Sequence, residues 1–218
     1  IIGEGKECYI IAEAGLNHNG DVKIAKELID QAVLSGCSAI KFQSFTKGSR
    51  VSKSQKSAKY AEEADGLQEN IYDLFERLSL SFDEQKEIFD YAGSKNLPIF
   101  STPFDFESVD FLEKLGVFAY KIASMDLVNL PLIEYVANKM KPIILSTGMS
   151  TLSNIEDAVN IILKSGNANI ILLHCNSSYP APEEEMNLAA METLRNTFKV
   201  PVGLSDHSFG LLVSTVAL

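Results

Sequence analysis

Seven times along the chain a short apolar run, too brief for a helix, ends in polar residues and gives way to a segment with helical spacing. No hairpin signal separates these runs, so the alternation predicts a parallel sheet whose strands are connected by helices. The first run is Cys8–Ala12, which reads as a buried strand opening onto Glu13 and a turn containing Gly15, Asn17, Asn19 and Gly20. Asp21 is placed to N-cap a helix in which Ile24, Ala25, Leu28, Ile29, Ala32 and Val33 recur every three or four positions. The later strands read as Ser38–Gln43, Pro98–Ser101, Phe118–Ile122, Pro142–Leu145, Ile170–Leu173 and Pro201–Leu204. Between them fall a helix capped by Asp83 and running to Lys95, then Glu107–Leu115, Leu130–Lys139, a helix from Ser153 to Lys164, and Leu188–Phe198. Leu211–Leu218 reads as the next helix, and Ile1–Lys6 as half of a small hairpin. Ser44–Ser81 is long and polar, with one helical patch around Ile71, Tyr72, Leu74 and Phe75; segments of this kind inside compact domains are usually functional or disordered.

Two parallel architectures compete. A doubly wound sheet usually carries a glycine-rich phosphate turn after its first strand, and the Gly15–Gly20 turn does not have that spacing. Polar residues at the end of nearly every strand favour a (β/α)8 TIM barrel, in which the strand ends converge on one face. Seven units leave such a barrel one strand short. The expectation is a barrel catalytic domain over residues 1–218, incomplete at its C-terminus and belonging to a longer protein.

Composition removes several function classes. The formal net charge of −10 argues against nucleic acid as a partner. No apolar run approaches the length of a membrane span, and a cytoplasmic location is expected. The three cysteines, Cys8, Cys37 and Cys175, lack CxxC spacing and sit in apolar contexts, which predicts reduced core thiols. The sequence has neither a P-loop, a nucleophile elbow nor an HExxH pair. With only Arg50, Arg77 and Arg195 available, recognition of an anion falls to lysine, against an unfavourable overall field.

Lys41 and Lys121 lie in apolar strands, where a lysine is costly unless paired or bound to an anion. One reading is an ion pair with Glu13 inside the barrel. The other is a cradle for phosphate and carboxylate, completed by the hydroxyls of Thr102, Ser124, Ser146 and Ser205. His207, between Asp206 and Ser208, is either a hydrogen-bonded turn residue or a metal ligand. His18 is expected to order its loop and His174 to be a packed strand-end residue.

The segments IIAEAGLNHNGD, IKFQ, FSTPFD, YKIAS, PIILSTGM, LLHCNSSYPAP and GLSDHS occur in that order, and over nearly the whole chain the sequence resembles the sialic acid (N-acetylneuraminate) synthase family. The resemblance implies a (β/α)8 barrel followed by an antifreeze-like domain that reaches across a homodimer. It implies condensation of phosphoenolpyruvate with an open-chain N-acylated hexosamine, by default N-acetylmannosamine, giving a nonulosonic acid and phosphate for polysaccharide biosynthesis. Glu13 would act on the reacting carbons; Lys41, Thr102, Lys121, Ser124, Ser146 and Ser205 would hold phosphoenolpyruvate; Gln43, Ser177 and Tyr179 would face the sugar. His207 would be one of two histidines binding Mn²⁺ or Mg²⁺, the second lying beyond residue 218 together with a sugar-binding Asp. Ser177 stands where some members have Asn, and Gly66 where an Asn can touch the sugar, so the hexosamine is left open. Two other readings stay on the table: a Schiff-base aldolase with Lys121 as nucleophile, and a non-catalytic barrel that binds an acidic sugar.

Overall fold

The computed structural model describes residues 2, 3, 5–46, 48–51 and 71–218. Two compact units are distinguished, Ile10–Val117 and the remainder, Ile1–Tyr9 with Phe118–Leu218. Among the described residues each strand is followed by a helix, seven times over, as the alternation predicts.

In the unit Ile10–Val117 the order is β1 (Ile11–Gly15), α1 (Val22–Leu34), β2 (Ala39–Ser44), α2 (Ile71–Leu78), α3 (Phe82–Ser94), β3 (Ile99–Pro103) and α4 (Phe106–Leu115). The three strands are parallel, with β2 between β1 and β3. Strand β2 shows how two-residue periodicity sorts side chains. Ile40 and Phe42 pack with Ala25, Ile29 and Ala32 of α1 and Ile88 and Ala92 of α3. Each such buried Ile or Phe contributes about 1.5–3 kcal/mol. Lys41 and Gln43 are therefore carried on the opposite face, away from the helices.

The remaining unit runs β4 (Tyr120–Ile122), α5 (Leu130–Ala137), β5 (Ile143–Ser146), α6 (Leu152–Lys164), β6 (Ile170–Cys175), α7 (Ala190–Phe198), β7 (Val202–Ser205) and α8 (Leu212–Val216). Its four strands are parallel and paired in chain order. Short 3-10 turns, Ser124–Asp126 and Glu183–Glu185, follow β4 and β6.

Boundaries differ from the sequence reading in one systematic way. β1 begins at Ile11 rather than Cys8 and runs through Glu13 to Gly15, and β3 and β5 include Thr102 and Ser146. Backbone ladders are indifferent to side-chain polarity, so a strand continues through polar residues wherever a neighbour offers N–H and C=O groups. Helix starts also move, among them Leu188 to Ala190 and two whose caps differ. Ser81, not Asp83, caps α3, forming a capping box with Glu84, and Thr151 with Asn154 does the same for α6, ahead of Ser153. Asp21 caps α1 as expected, accepting from the Lys23 N–H at 2.7 Å. The described residues of Ile1–Lys6 form a turn, with the Lys6 N–H donating to the Gly3 carbonyl, rather than a strand. The helical patch of the long polar segment is α2; Gly66 lies outside the described residues.

Candidate active site

The strand register assembles the first cluster. Glu13 of β1 is in register with Lys41 of β2, and Gln43 of β2 with Thr102 of β3. Lys41 Nζ lies 2.7 Å from Glu13 Oε1 and donates to Thr102 Oγ1 at 3.3 Å. The pair is asymmetric: the lysine side chain is 8% exposed and the glutamate side chain 52%. Gln43 Oε1 accepts from Arg50 Nη1 at 2.6 Å.

The turn after β1 is held by His18, which is 1% exposed and stacks on Phe42 with ring centroids 6.0 Å apart. Its Nδ1 accepts from the Gly20 N–H at 3.0 Å, so His18 orders its loop as expected. Burial lowers its pKa below the ordinary 6.5. Gly20 has φ +76°, and a Cβ there would lie 2.5 Å from the Arg77 carbonyl oxygen. Only glycine fits that approach of the turn to α2.

The second cluster belongs to Phe118–Leu218 and is likewise built on strand ends. Lys121, 8% exposed, donates to Ser146 Oγ at 2.6 Å and to the Ile122 carbonyl at 2.7 Å. The Gly148 N–H donates to Ser124 Oγ at 3.0 Å. A Cβ at Gly148 would sit 2.9 Å from Ser124 Oγ and 3.0 Å from Ser177 Oγ, so these hydroxyls close around a bare backbone position. Cys175 and Ser205 are in register on β6 and β7. Tyr179 is 75% exposed and sets its ring against His207 at 5.0 Å between centroids.

The sequence reading took the cysteines as core thiols, and two of them differ. Cys8 is exposed and Cys37 half-buried; Cys175 is buried but faces polar groups, its Sγ 3.8 Å from the His207 ring. Burial pushes the Cys175 thiol up, but hydrogen bonds from His207, Ser205 and Ser124 more than offset this and leave its pKa below the usual value. His174 is the packed strand residue expected, with Nε2 2.7 Å from the Met186 carbonyl.

Three residues of structural weight escaped the reading. Asp105 caps α4 by accepting from the Ser108 N–H at 2.7 Å, and its other oxygen accepts from the Thr46 N–H and from Ser49 Oγ. That carboxylate is raised by burial and lowered further by these donors, for a net lowered pKa. Gln85 of α3 accepts from Ser44 Oγ at 2.6 Å, beside Ser101. Arg50 lies between phenylalanine rings. The Phe-Asp before a helix was a readable cap signal, whereas the Ser44–Gln85 and Thr46–Asp105 contacts join residues more than forty positions apart and left none.

Among the described residues no three His, Cys, Asp or Glu side chains gather where they could hold a metal ion. His207 fits as one imidazole ligand of a divalent ion, and the described residues do not supply the rest of a shell. No helix of the described residues is long and apolar enough to cross a membrane.

Repeated βα units carry ammonium and hydroxyl groups at their strand ends, the arrangement on which (β/α)-barrel sites are built. Residues 28–218 match the NeuB family, and the chain belongs to it. An N,N'-diacetyllegionaminic acid synthase of Campylobacter jejuni is 44% identical over 98% of this chain and 64% of its own length. A pseudaminic acid synthase of Helicobacter pylori is 37% identical, over 95% of this chain and 61% of its own. The chain thus spans less than two thirds of the length of these relatives. The crystal structure of an N-acetylneuraminic acid (sialic acid) synthetase from Leptospira borgpetersenii, in complex with citrate, superimposes with a TM-score of 0.89 at 37% identity, covering 99% of this chain and 70% of that one. The barrel class read from the sequence agrees with that likeness.

Proposed function

We propose that the protein condenses phosphoenolpyruvate with an open-chain N-acylated hexosamine, forming a nonulosonic acid and phosphate. The observation that carries this reading is the pair of nearly buried ammonium groups, Lys41 and Lys121, each hydrogen bonded to a strand-end hydroxyl. A buried ammonium whose partners include neutral hydroxyls is a strong donor to phosphate or carboxylate. Thr102, Ser124, Ser146 and Ser205, with the Gly148 N–H, would add neutral donors that fix the enol ester for attack. Gln43, Ser177 and Tyr179 would face the sugar.

C3 of phosphoenolpyruvate attacks the aldehyde carbon; a C–C bond forms as the carbonyl π bond breaks, and positive charge develops at C2. The aldehyde oxygen becomes a hydroxyl with the proton given up by the water that adds at C2. Glu13, held at 2.7 Å by Lys41, stabilises that charge and orients the water that adds at C2. The tetrahedral product then collapses to a ketone by C–O cleavage, releasing phosphate. A divalent metal, Mn²⁺ or Mg²⁺ with His207 as one ligand, would polarise the aldehyde oxygen when bound.

Among sugars, the 44% identity to a legionaminic acid synthase, against 37% to the N-acetylneuraminic acid synthetase, supports a di-N-acetylated 6-deoxyhexose over the default N-acetylmannosamine. The test is phosphate release from phosphoenolpyruvate against a panel of these hexosamines with Mn²⁺ or Mg²⁺. Release with one sugar and its matching nine-carbon product is the expected result. Release with none, or borohydride trapping of pyruvate on Lys121, would replace the reading.

A further inference from the structure

Arg50 is set in a cage. Its guanidinium carbon lies 4.1 Å from the ring centre of Phe104, 4.2 Å from that of Phe75 and 5.4 Å from that of Phe45. Cation–π attraction is strongest where water is excluded, and two ring contacts near 4 Å leave little room for water on the faces of the guanidinium. The segment that carries Arg50 is anchored as well. Asp105, at the start of α4, takes the Thr46 N–H, the Thr46 hydroxyl at 3.1 Å and the Ser49 hydroxyl at 2.7 Å. Helix α2 closes over it, since a Cβ at Gly48 would lie 3.0 Å from the Tyr72 hydroxyl.

This anchored cation meets Gln43. Guanidinium has donors and no acceptor, so the 2.6 Å contact from Nη1 must be to the carbonyl oxygen of the Gln43 amide, not to its NH₂. The other end of the amide is thereby fixed as a donor and turned toward Gly15. A Cβ on Gly15 would lie 3.6 Å from Gln43 Nε2 and 2.9 Å from Glu13 Oε1. Gly15, with φ +52°, keeps open a place flanked by an amide donor and a carboxylate acceptor. That combination matches a substrate hydroxyl, which can accept from the amide and donate to the carboxylate.

We propose that Arg50 is a positioning residue for sugar selection: caged by Phe45, Phe75 and Phe104, it locks the Gln43 amide with its NH₂ presented beside Glu13. The proposal rests on the condensing reaction proposed above, in which Gln43 faces the hexosamine. Without the lock, Gln43 turns freely between donor and acceptor orientations and discriminates poorly between acceptor oxygens of the sugar.

The test replaces Arg50 by Met, which keeps an apolar stem for the cage, and by Lys, which keeps a donor. Two readouts are taken. The first is the NMR order parameter of the Gln43 side-chain Nε2, assigned by loss of its signal in Gln43→Glu. The order parameter should be near the rigid value of about 0.85 in the unsubstituted protein, below about 0.6 in R50M, and intermediate in R50K. The second is steady-state kinetics, in which R50M should raise KM for the hexosamine about tenfold and leave KM for phosphoenolpyruvate within about twofold, with R50K recovering part of the loss. An unchanged order parameter in R50M overturns the proposal, and this holds even if no sugar in the panel is turned over. So does a mobile Gln43 accompanied by equal changes in both KM values. Failure of the unsubstituted protein to release phosphate would instead count against the condensing reaction.

Discussion

Take the Glu13–Lys41 pair apart one partner at a time. At 2.7 Å and an effective dielectric constant of about 20, the gross attraction is about 6 kcal/mol, most of it offset by taking Lys41 out of water. Glu13→Ala keeps that desolvation and removes the attraction, leaving Thr102 Oγ1 at 3.3 Å from the ammonium. Stranding a buried charge typically costs about 3–5 kcal/mol. Because the Glu13 side chain is 52% exposed, water reaches the vacated position and the expected loss falls to about 2–3 kcal/mol. Lys41→Met removes the costly charge itself and returns a half-exposed carboxylate to water, so its cost is about 1 kcal/mol or less. The double variant should cost less than the sum by about 1.5 kcal/mol. Urea unfolding at pH 7 with unchanged slope measures all four corners, and a chain of this size shifts its Tm by about 2–4 °C per kcal/mol. If Lys41→Met proves as costly as Glu13→Ala, or the two effects simply add, the asymmetry argued from their exposure is wrong.

Three further expectations follow from other parts of the molecule. Lys121→Met should reduce phosphate release by about 10²–10³ with little change in the urea midpoint, and a large fall in midpoint with turnover retained would assign the ammonium to stability instead. Gly148→Ala should lower turnover and also stability, because its Cβ would intrude at 2.9 Å and 3.0 Å on the hydroxyls of Ser124 and Ser177 and lie 3.1 Å from the Cys175 backbone carbonyl; unaltered kinetics would show that those hydroxyls are not used. His18, with its pKa lowered in the folded state, binds its proton more readily when unfolded, so stability should fall as pH drops through about 6.5, by at most about 1.4 kcal/mol per pH unit. His18→Asn should flatten the profile between pH 7 and pH 5.5, and an unchanged slope there would place the titration elsewhere.

The fold was legible because it rests on local signals. The apolar run at Ile143–Leu145, Ile40 and Phe42 on either side of Lys41, helical spacing at Ala25, Ile29 and Ala32, and Asp21 before Val22 each report on a few neighbouring residues. Where a strand stopped was less legible. Hydropathy marks the part of a strand that packs under helices, and it falls silent where Glu13 or Thr102 still pairs through its backbone with Lys41 or Gln43. Helix starts were misplaced for a related reason. Asp83 and Ser153 are good cap residues by type, but Ser81 and Thr151 stand three residues before Glu84 and Asn154, and the reciprocal bond decides.

The candidate site was legible in its charges and not in its scaffolding. Lys41 and Lys121 stood out because a lysine in an apolar strand needs a reason, and Glu13 because it follows the first strand's apolar run. Arg50 gave no such signal: in a polar segment an arginine needs no partner, and the rings around it come from separate points of the chain, Phe45, Phe75 and Phe104. Asp105 could be read as a helix cap, but its second oxygen serves Thr46 and Ser49, in the same segment as Arg50. One carboxylate therefore ties the start of α4 to the residues that orient Gln43. Residues that touch substrate can be picked out by type, since chemistry restricts them to a few groups. Those that aim them can be almost any residue, provided that the fold brings a donor, a ring or a cap to within hydrogen-bonding or van der Waals distance.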